Sequence, residues 1–346
     1  MAERDDIIAR FLADAGWGDA TRHPLAGDAS FRRYDRVTMA ERKAVLMDAP
    51  PPQEDVRPFV TITRHLQGLG YSVPTILAED PSTGLLLLED FGDATYTRTL
   101  ASGTAEADLY EAAVDLIADL HNKPANVAIP AGLPDYDAAR LTGEAELLTD
   151  WYAPQQLGQP LDEAAKRAYR QIWTDLVPAM QGAERTIVLR DFHADNLIWL
   201  PKRGPIKNCA LLDYQDAVAG SPAYDLMSLI EDARRDMDPE LEIELLERYR
   251  DARTQMDWDA FRDSYASLAA QRHCKVIGIF TRLCVRDSKP IYLGHIPRVW
   301  RLLERACDDP LLAPLRDWLD RHIPKDKRGV PIIQSGIQKP KAETII

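Results

Sequence analysis

The chain has 346 residues, 45% hydrophobic, 28% charged and 8% aromatic, a composition that suits one large two-lobed unit or two modest domains with a well-buried core. Its formal net charge of −13 argues against a nucleic-acid binder, which needs a basic surplus to replace the counterions on phosphates. No apolar run approaches the ~20 residues of a membrane span, and the charged stretch Met1 to Arg10 lacks the apolar core of a secretory signal.

Up to about residue 90 the pattern reads as short strands with one helix. Leu25 to Thr38 reads as a hairpin, and Ala44 to Met47 as an apolar strand ending at Asp48 and the rigid run Pro50-Pro51-Pro52. A helix is expected from about Glu54 to Leu69, stopped by Gly70. Val73 to Ala78 and Leu85 to Leu88 read as strands flanking the turn Asp80-Pro81-Ser82-Thr83-Gly84. From Glu106 to His121 the residues Leu109, Ala113, Leu116, Ile117 and Leu120 recur at helical spacing, and Pro124 closes the segment. Helical patterns resume at about 163–182, 221–235, 239–254, 258–287 and 296–306. Among them lie three short segments of strand composition: Ile187 to Leu189, Leu197 to Leu200, and Lys207 to Leu212. The turn Pro201 to Pro205 joins the last two. The expected architecture is α+β: a small β-rich lobe over residues 1–90, a larger and mainly helical lobe over 91–324 with one internal hairpin, and a flexible tail over 325–346. The cysteines Cys209, Cys274, Cys284 and Cys307 show neither a CxxC pair nor zinc spacing, so buried thiols in a reducing cytoplasm are expected.

The chemically informative stretch runs Ile187-Val188-Leu189-Arg190-Asp191-Phe192-His193-Ala194-Asp195-Asn196-Leu197-Ile198. An apolar strand enters a polar loop, a second strand leaves it, and the next strand ends in Asp213. Phosphoryl transfer needs oxygen ligands that hold Mg²⁺ against the phosphates of ATP, and one carboxylate that orients the acceptor hydroxyl and takes its proton. A base five residues before a metal-binding Asn, followed by a strand-terminal Asp, is the kinase order. Asp191 fits the base, and Asn196 and Asp213 fit the metal ligands.

Leu189-Arg190-Asp191-Phe192-His193-Ala194-Asp195-Asn196 resembles the catalytic loop of the aminoglycoside phosphotransferase and choline kinase group. Leu212-Asp213-Tyr214-Gln215-Asp216 is similar to its magnesium-binding segment, and Tyr224-Asp225-Leu226 to the helix start that braces it. The resemblance implies a two-lobed protein-kinase-like fold and ATP with Mg²⁺ as cofactors. Leu189 stands where that group usually has a His. Gly27-Asp28-Ala29-Ser30-Phe31-Arg32-Arg33-Tyr34, Met47-Asp48-Ala49-Pro50-Pro51 and Gln271 to Phe280 narrow the resemblance to bacterial N-acetylmuramate/N-acetylglucosamine anomeric kinases. It spans residues 20 to 305 and implies a small sugar acceptor, a role in cell-wall sugar recycling, and no obligate protein partner. A choline- or aminoglycoside-type kinase and a nucleotide-binding pseudokinase are the alternatives.

The remaining candidates follow from these roles. Met47 stands where the third strand of a kinase carries the lysine that grips the α- and β-phosphates, which leaves Arg32, Arg33 or Lys43 to supply the charge. Gly27 and Ser30 lie in a loop whose amides suit phosphate. Glu89 and Phe91 in Leu87-Leu88-Glu89-Asp90-Phe91-Gly92 stand at an expected hinge, where main-chain groups meet the adenine edge. On a helix over 271–286, Gln271, Arg272, Lys275, Arg282 and Arg286 share a stripe about 100° wide, with Gly278 a candidate break. Arg272 and Lys275 suit an anionic acceptor such as the lactyl carboxylate of N-acetylmuramate. Glu144 and Asp150, near Trp151 and Tyr152, suit sugar hydroxyls. His193 suits either substrate contact or a structural hydrogen bond, and His121 a helix-end contact.

Overall fold

The computed structural model describes residues 2–25 and 32–334. It opens with a helix that the sequence reading did not anticipate, α1 (Ala2–Asp14). Ile8, Phe11 and Leu12 recur at i, i+3, i+4 on one of its faces. With Trp17 they pack against Val37, Ala44, Leu46, Leu85 and Leu87 of the sheet that follows. The charged residues of this segment conceal a narrow apolar stripe, which is why a reading by overall polarity misses it.

That sheet has five antiparallel strands in the order β1-β2-β3-β5-β4: β1 (Thr21–Pro24), β2 (Arg33–Met39), β3 (Arg42–Asp48), β4 (Ile76–Asp80) and β5 (Leu85–Glu89). Helix α2 (Arg57–Gly68) joins β3 to β4. The expected hairpin is present, although its first strand starts at Thr21 rather than Leu25. Met47 lies on the central strand β3 between Tyr34 and Leu86 and is buried. Gly84 lets the β4–β5 turn close on Ala49: a β-carbon there would sit 2.0 Å from the Ala49 carbonyl oxygen.

Next come α3 (Tyr96–Ala101), α4 (Glu106–His121), α5 (Ala125–Ala128), α6 (Ala138–Ala145), a π-helical turn Leu148–Tyr152, α7 (Ala153–Leu157) and α8 (Glu163–Gln181). Three short strands follow, β6 (Thr186–Val188), β7 (Leu197–Trp199) and β8 (Cys209–Leu211), and a fourth, β9 (Val218–Gly220), which the sequence reading missed. β7 pairs with β8 as the expected hairpin, whereas β6 pairs with β9. Helices α9 (Ala223–Ile230), α10 (Pro239–Ala252), α11 (Trp258–Asp287), α12 (Ile296–Ala306) and α13 (Ala313–His322) complete the order. Helices α6, α8, α10 and α11 each start after an Asp whose carboxylate accepts a backbone N–H of the first turn.

The chain forms two compact units, which do not follow the 90/91 boundary expected from composition. One comprises residues 1–116 and 194–217, so the five-stranded sheet shares its unit with the β7–β8 hairpin. The other comprises 117–193 and 218–346 and holds most of the helices. The start of the expected tail is held in place: the Tyr152 hydroxyl donates to the Lys327 carbonyl at 2.7 Å, and Arg328 pairs with Glu304 and Asp320 at 2.8 and 2.6 Å.

Candidate active site

The β-rich unit carries the proposed metal ligands. β7 and β8 pair from Leu197↔Leu211 to Trp199↔Cys209, and the Leu212 N–H donates to the Asn196 carbonyl at 2.9 Å. That antiparallel register sets the residue before β7 beside the residues after β8. Asp213 adopts φ 57°, a left-handed conformation that Asp tolerates better than most side chains. Its Oδ1 accepts from Gln215 Nε2 at 3.1 Å. Tyr214 anchors the segment beneath: its ring stacks on Phe59 of α2 at 5.2 Å, and its hydroxyl meets Thr63 at 2.8 Å. The Asn196 carboxamide and the Asp213 carboxylate are hard oxygen donors that suit Mg²⁺. Among the described residues no group of three or more His, Cys, Asp or Glu is placed to hold a metal. Magnesium characteristically accepts such sparse protein ligation when phosphate oxygens and water fill the rest of its shell.

The same unit places Arg32. Its Nη2 lies 3.5 Å from Asp213 Oδ1 and its Nε 3.9 Å from Glu54 Oε2, while the side chain is 12% exposed. Burial alone would lower its pKa, but Tyr34, Asp213, Glu54 and Asp216 outweigh it and hold the guanidinium firmly charged. Arg33 and Lys43 are exposed. Gly27 and Ser30 lie outside the described residues. At the expected hinge the Glu89 N–H donates to the Thr75 carbonyl at 2.8 Å, so that amide is spent within the protein. The Glu89 carboxylate takes Thr75 and Arg203 at 2.8 and 2.6 Å, and the Arg203 guanidinium lies 4.9 Å over the Phe91 ring. Arg36 of β2 forks onto Asp90 and Asp93, tying the hinge to the hairpin.

The helical unit carries the proposed base. Arg190, just before Asp191, adopts φ 70°, and its loop is fixed from below by buried Asp225, whose carboxylate accepts the Leu189 and Arg190 N–H groups at 2.7 and 3.0 Å. Burial first, and then the charge of Asp191, push the Asp225 carboxyl up to about 7 despite those two bonds. Asp191 itself is half-buried. Desolvation would raise its pKa, but His193, Lys275, Arg190 and Arg272 outweigh it and hold the carboxyl below its usual range. His193 is buried, and desolvation holds its pKa below the usual histidine range against the opposing pull of Asp232 and Asp191.

Beside the base stands a buried cluster that sequence reasoning only half found. Glu144 is 2% exposed, and both its oxygens are taken: Arg190 at 2.5 Å on one, Lys275 at 3.0 Å and Tyr136 on the other, with Gln271 at 3.4 Å. Glu144, expected at sugar hydroxyls, meets protein cations here, and its single charge is shared by Lys275 and Arg190. Arg286 pairs with Asp287 at 2.7 Å on the exposed end of α11, so the basic stripe is not one continuous lining. Arg272 differs: it is 4% exposed, and its Nη1 is buried without a hydrogen-bond partner among the described residues. Asp150, within the π-helical turn, pairs with Lys166 at 3.1 Å. His121 is buried, with Nδ1 2.7 Å from the Tyr249 hydroxyl, a structural contact as expected. Arg190 and Tyr136 were missed because nothing local in the sequence marks them as partners of Glu144.

A model of the phosphotransferase enzyme family matches residues 21–262, which include the loop, the hairpin and the Asp225 brace. The chain belongs to that phosphotransferase enzyme family. It is 36% identical to an N-acetylmuramate/N-acetylglucosamine kinase of Caulobacter vibrioides, over 94% of this chain and 99% of that one. It is 39% identical to the kinase of the same name from Pseudomonas aeruginosa, over 91% and 93%. Among solved structures, a choline kinase from Streptococcus pneumoniae superposes with a TM-score of 0.63 at 13% identity, over 89% of this chain and all of that one. A microcompartment-associated aminopropanol kinase gives 0.62 at 14%, over 88% and 97%. This phosphotransferase therefore has the α+β, protein-kinase-like fold expected from its sequence. None of its described helices is long and apolar enough to cross a membrane.

Proposed function

We propose that this phosphotransferase moves the terminal phosphate of ATP to the anomeric hydroxyl of N-acetylmuramate or N-acetylglucosamine, giving the sugar 1-phosphate for cell-wall sugar recycling in the cytoplasm. The observation that carries the reading is the buried cationic cluster at the base. Glu144 offsets Arg190 and Lys275 only in part, and Arg272, whose Nη1 is buried without a hydrogen-bond partner among the described residues, adds a third cation to the surroundings of Asp191. Such a cationic cluster disfavours a choline or an aminoglycoside, which would ask for carboxylates and aromatic faces. It attracts the lactyl carboxylate of N-acetylmuramate. The names of the relatives agree, and they weigh against a silent pseudokinase scaffold.

In this reading Asp191 orients the anomeric hydroxyl and takes its proton. That hydroxyl is more acidic than other sugar hydroxyls, so one carboxylate held in its ionised form suffices. Asn196 and Asp213 would hold Mg²⁺, which when bound offsets the charge of the phosphates. Asp225 positions the loop through the Leu189 and Arg190 amides.

The test offers ATP, Mg²⁺ and a panel of N-acetylmuramate, N-acetylglucosamine, glucose, choline and kanamycin, with ³¹P NMR of the products. A 1-phosphate of an N-acetyl amino sugar is expected, with turnover reduced by about 10² or more in Asp191→Asn. A 6-phosphate, or preferred turnover of choline or kanamycin, would refute the acceptor assignment.

A further inference from the structure

With Met47 in place of the strand-three lysine, the phosphates of a nucleotide need another cation, and the structure singles out one. Arg33 and Lys43 point into solvent, whereas the Arg32 guanidinium bridges two carboxylates, Asp213 at 3.5 Å and Glu54 at 3.9 Å. Glu54 belongs to the connection between β3 and α2, and Asp213 follows β8. One guanidinium between two carboxylates leaves a net negative charge, to which nearby Asp216 adds. The pair is also frustrated toward metal. A divalent cation on Asp213 Oδ1 and a guanidinium 3.5 Å from the same oxygen repel each other strongly at such short range. A metal that arrives with phosphates removes the conflict, because the phosphate oxygens give the guanidinium a multiply charged partner matched to its planar fork.

We propose that Arg32 is a two-position phosphate clamp, resting on Asp213 and Glu54 and moving onto the α- and β-phosphates when a nucleotide–metal pair binds. The proposal rests on the phosphotransfer reading of the site and is independent of which sugar is the acceptor. Its consequence is a pair of effects of opposite sign. Arg32 works against a divalent ion that binds alone and in favour of one that binds with a diphosphate, so it couples the two ligands. A strand-three lysine paired only with a helix glutamate would not compete for the metal ligand in this way.

The experiment uses the full chain without sugar and compares wild type with Arg32→Met and Arg32→Lys. Binding of ADP with Mg²⁺ and of AMP is measured calorimetrically, and binding of Mn²⁺ alone by electron paramagnetic resonance. Arg32→Met is expected to weaken ADP about tenfold or more, the scale of a lost charge-assisted contact, and to change AMP by less than about threefold. The same variant should bind Mn²⁺ alone about threefold or more tighter, as relief of short-range repulsion implies. Arg32→Lys, which keeps the charge and loses the fork, should bind ADP with an affinity between those of wild type and Arg32→Met. Unchanged ADP affinity, an equal loss for AMP, or weaker binding of Mn²⁺ alone would each overturn the clamp. If Arg32→Met fails to fold, judged by circular dichroism, Arg32→Gln supplies the same three readings with a polar, uncharged side chain. A wild-type chain that bound neither ADP nor Mn²⁺ would instead overturn the phosphotransfer reading itself.

Discussion

Asp191 shows how one residue is set between opposing forces. Burial pushes its carboxyl toward the neutral form, and four cationic or potentially cationic neighbours more than reverse this. The proposed base is therefore ionised throughout the neutral range, and loss of activity at low pH should begin only below the ordinary carboxylate range. Arg272 is the neighbour whose removal tests this most cleanly, because it is not locked to Glu144 as Lys275 and Arg190 are. Removing a cation favours the protonated acid and raises the pKa. Arg272→Met should therefore move the acid limb of kcat/KM to higher pH. The profile is best read with N-acetylglucosamine, whose lack of a carboxylate separates the effect on the base from any effect on acceptor binding. A limb that stays in place would mean that Arg272 does not act on Asp191.

Among the elements, α11 does the most to assemble the helical unit, since it carries Gln271, Arg272 and Lys275 to the Glu144 cluster. The sequence reading marked Gly278 as a candidate break in this helix. The helix instead runs without interruption from Trp258 to Asp287. Gly278 is required by close approach: a β-carbon there would lie 2.3 Å from the Leu147 carbonyl carbon, just before the π-helical turn. Two effects of Gly278→Ala then compete. Better helix propensity contributes up to ~1 kcal/mol, while overpacking against a backbone that cannot yield costs about 1–3 kcal/mol. Overpacking should win, and urea denaturation should show a net loss. Gly68→Ala, at the end of α2 where a β-carbon meets nothing within 4 Å, is the control and should be neutral or slightly stabilising. Equal behaviour of the two variants would refute the packing argument.

For the whole molecule, ligand binding and thermal stability are linked. A ligand that binds only the folded chain stabilises it by about 2.7 kcal/mol at a hundredfold excess over Kd. If Asn196 and Asp213 are the metal ligands, ADP with Mg²⁺ should raise the Tm of the wild-type chain, and chelation with EDTA should remove most of that rise. Asp213→Ala and Asn196→Ala should each show a smaller rise that EDTA scarcely alters. Differential scanning fluorimetry reads all of these at once. A full, chelation-sensitive rise in both variants would show that the metal is held elsewhere.

What was legible in the sequence was what short stretches of chain encode. The loop from Arg190 to Asn196 is contiguous, the β7–β8 hairpin joins strands close in the chain, and long helices such as Glu106–His121 and Trp258–Asp287 repeat their apolar faces several times. The fold class and the proposed base and metal ligands follow from such local rules. Helix α1 and strand β9 escaped because their apolar patterns are brief and take meaning only from the partners they pack against. The site's electrostatics escaped for a deeper reason. The charge a side chain presents depends on its neighbours in space, and residues far apart in the chain supply them. Lys275 and Arg272 sit one turn apart on one helix and looked equivalent, yet burial of Glu144 against Lys275 spends one cation and leaves the other. Arg32 and Arg33 are adjacent, yet one lies against Asp213 and the other in water. The sequence determined which chemistry the loop can perform. Only the tertiary structure decided which charges remain to perform it, because a buried ion pair is set by folding two distant segments together and not by either segment alone.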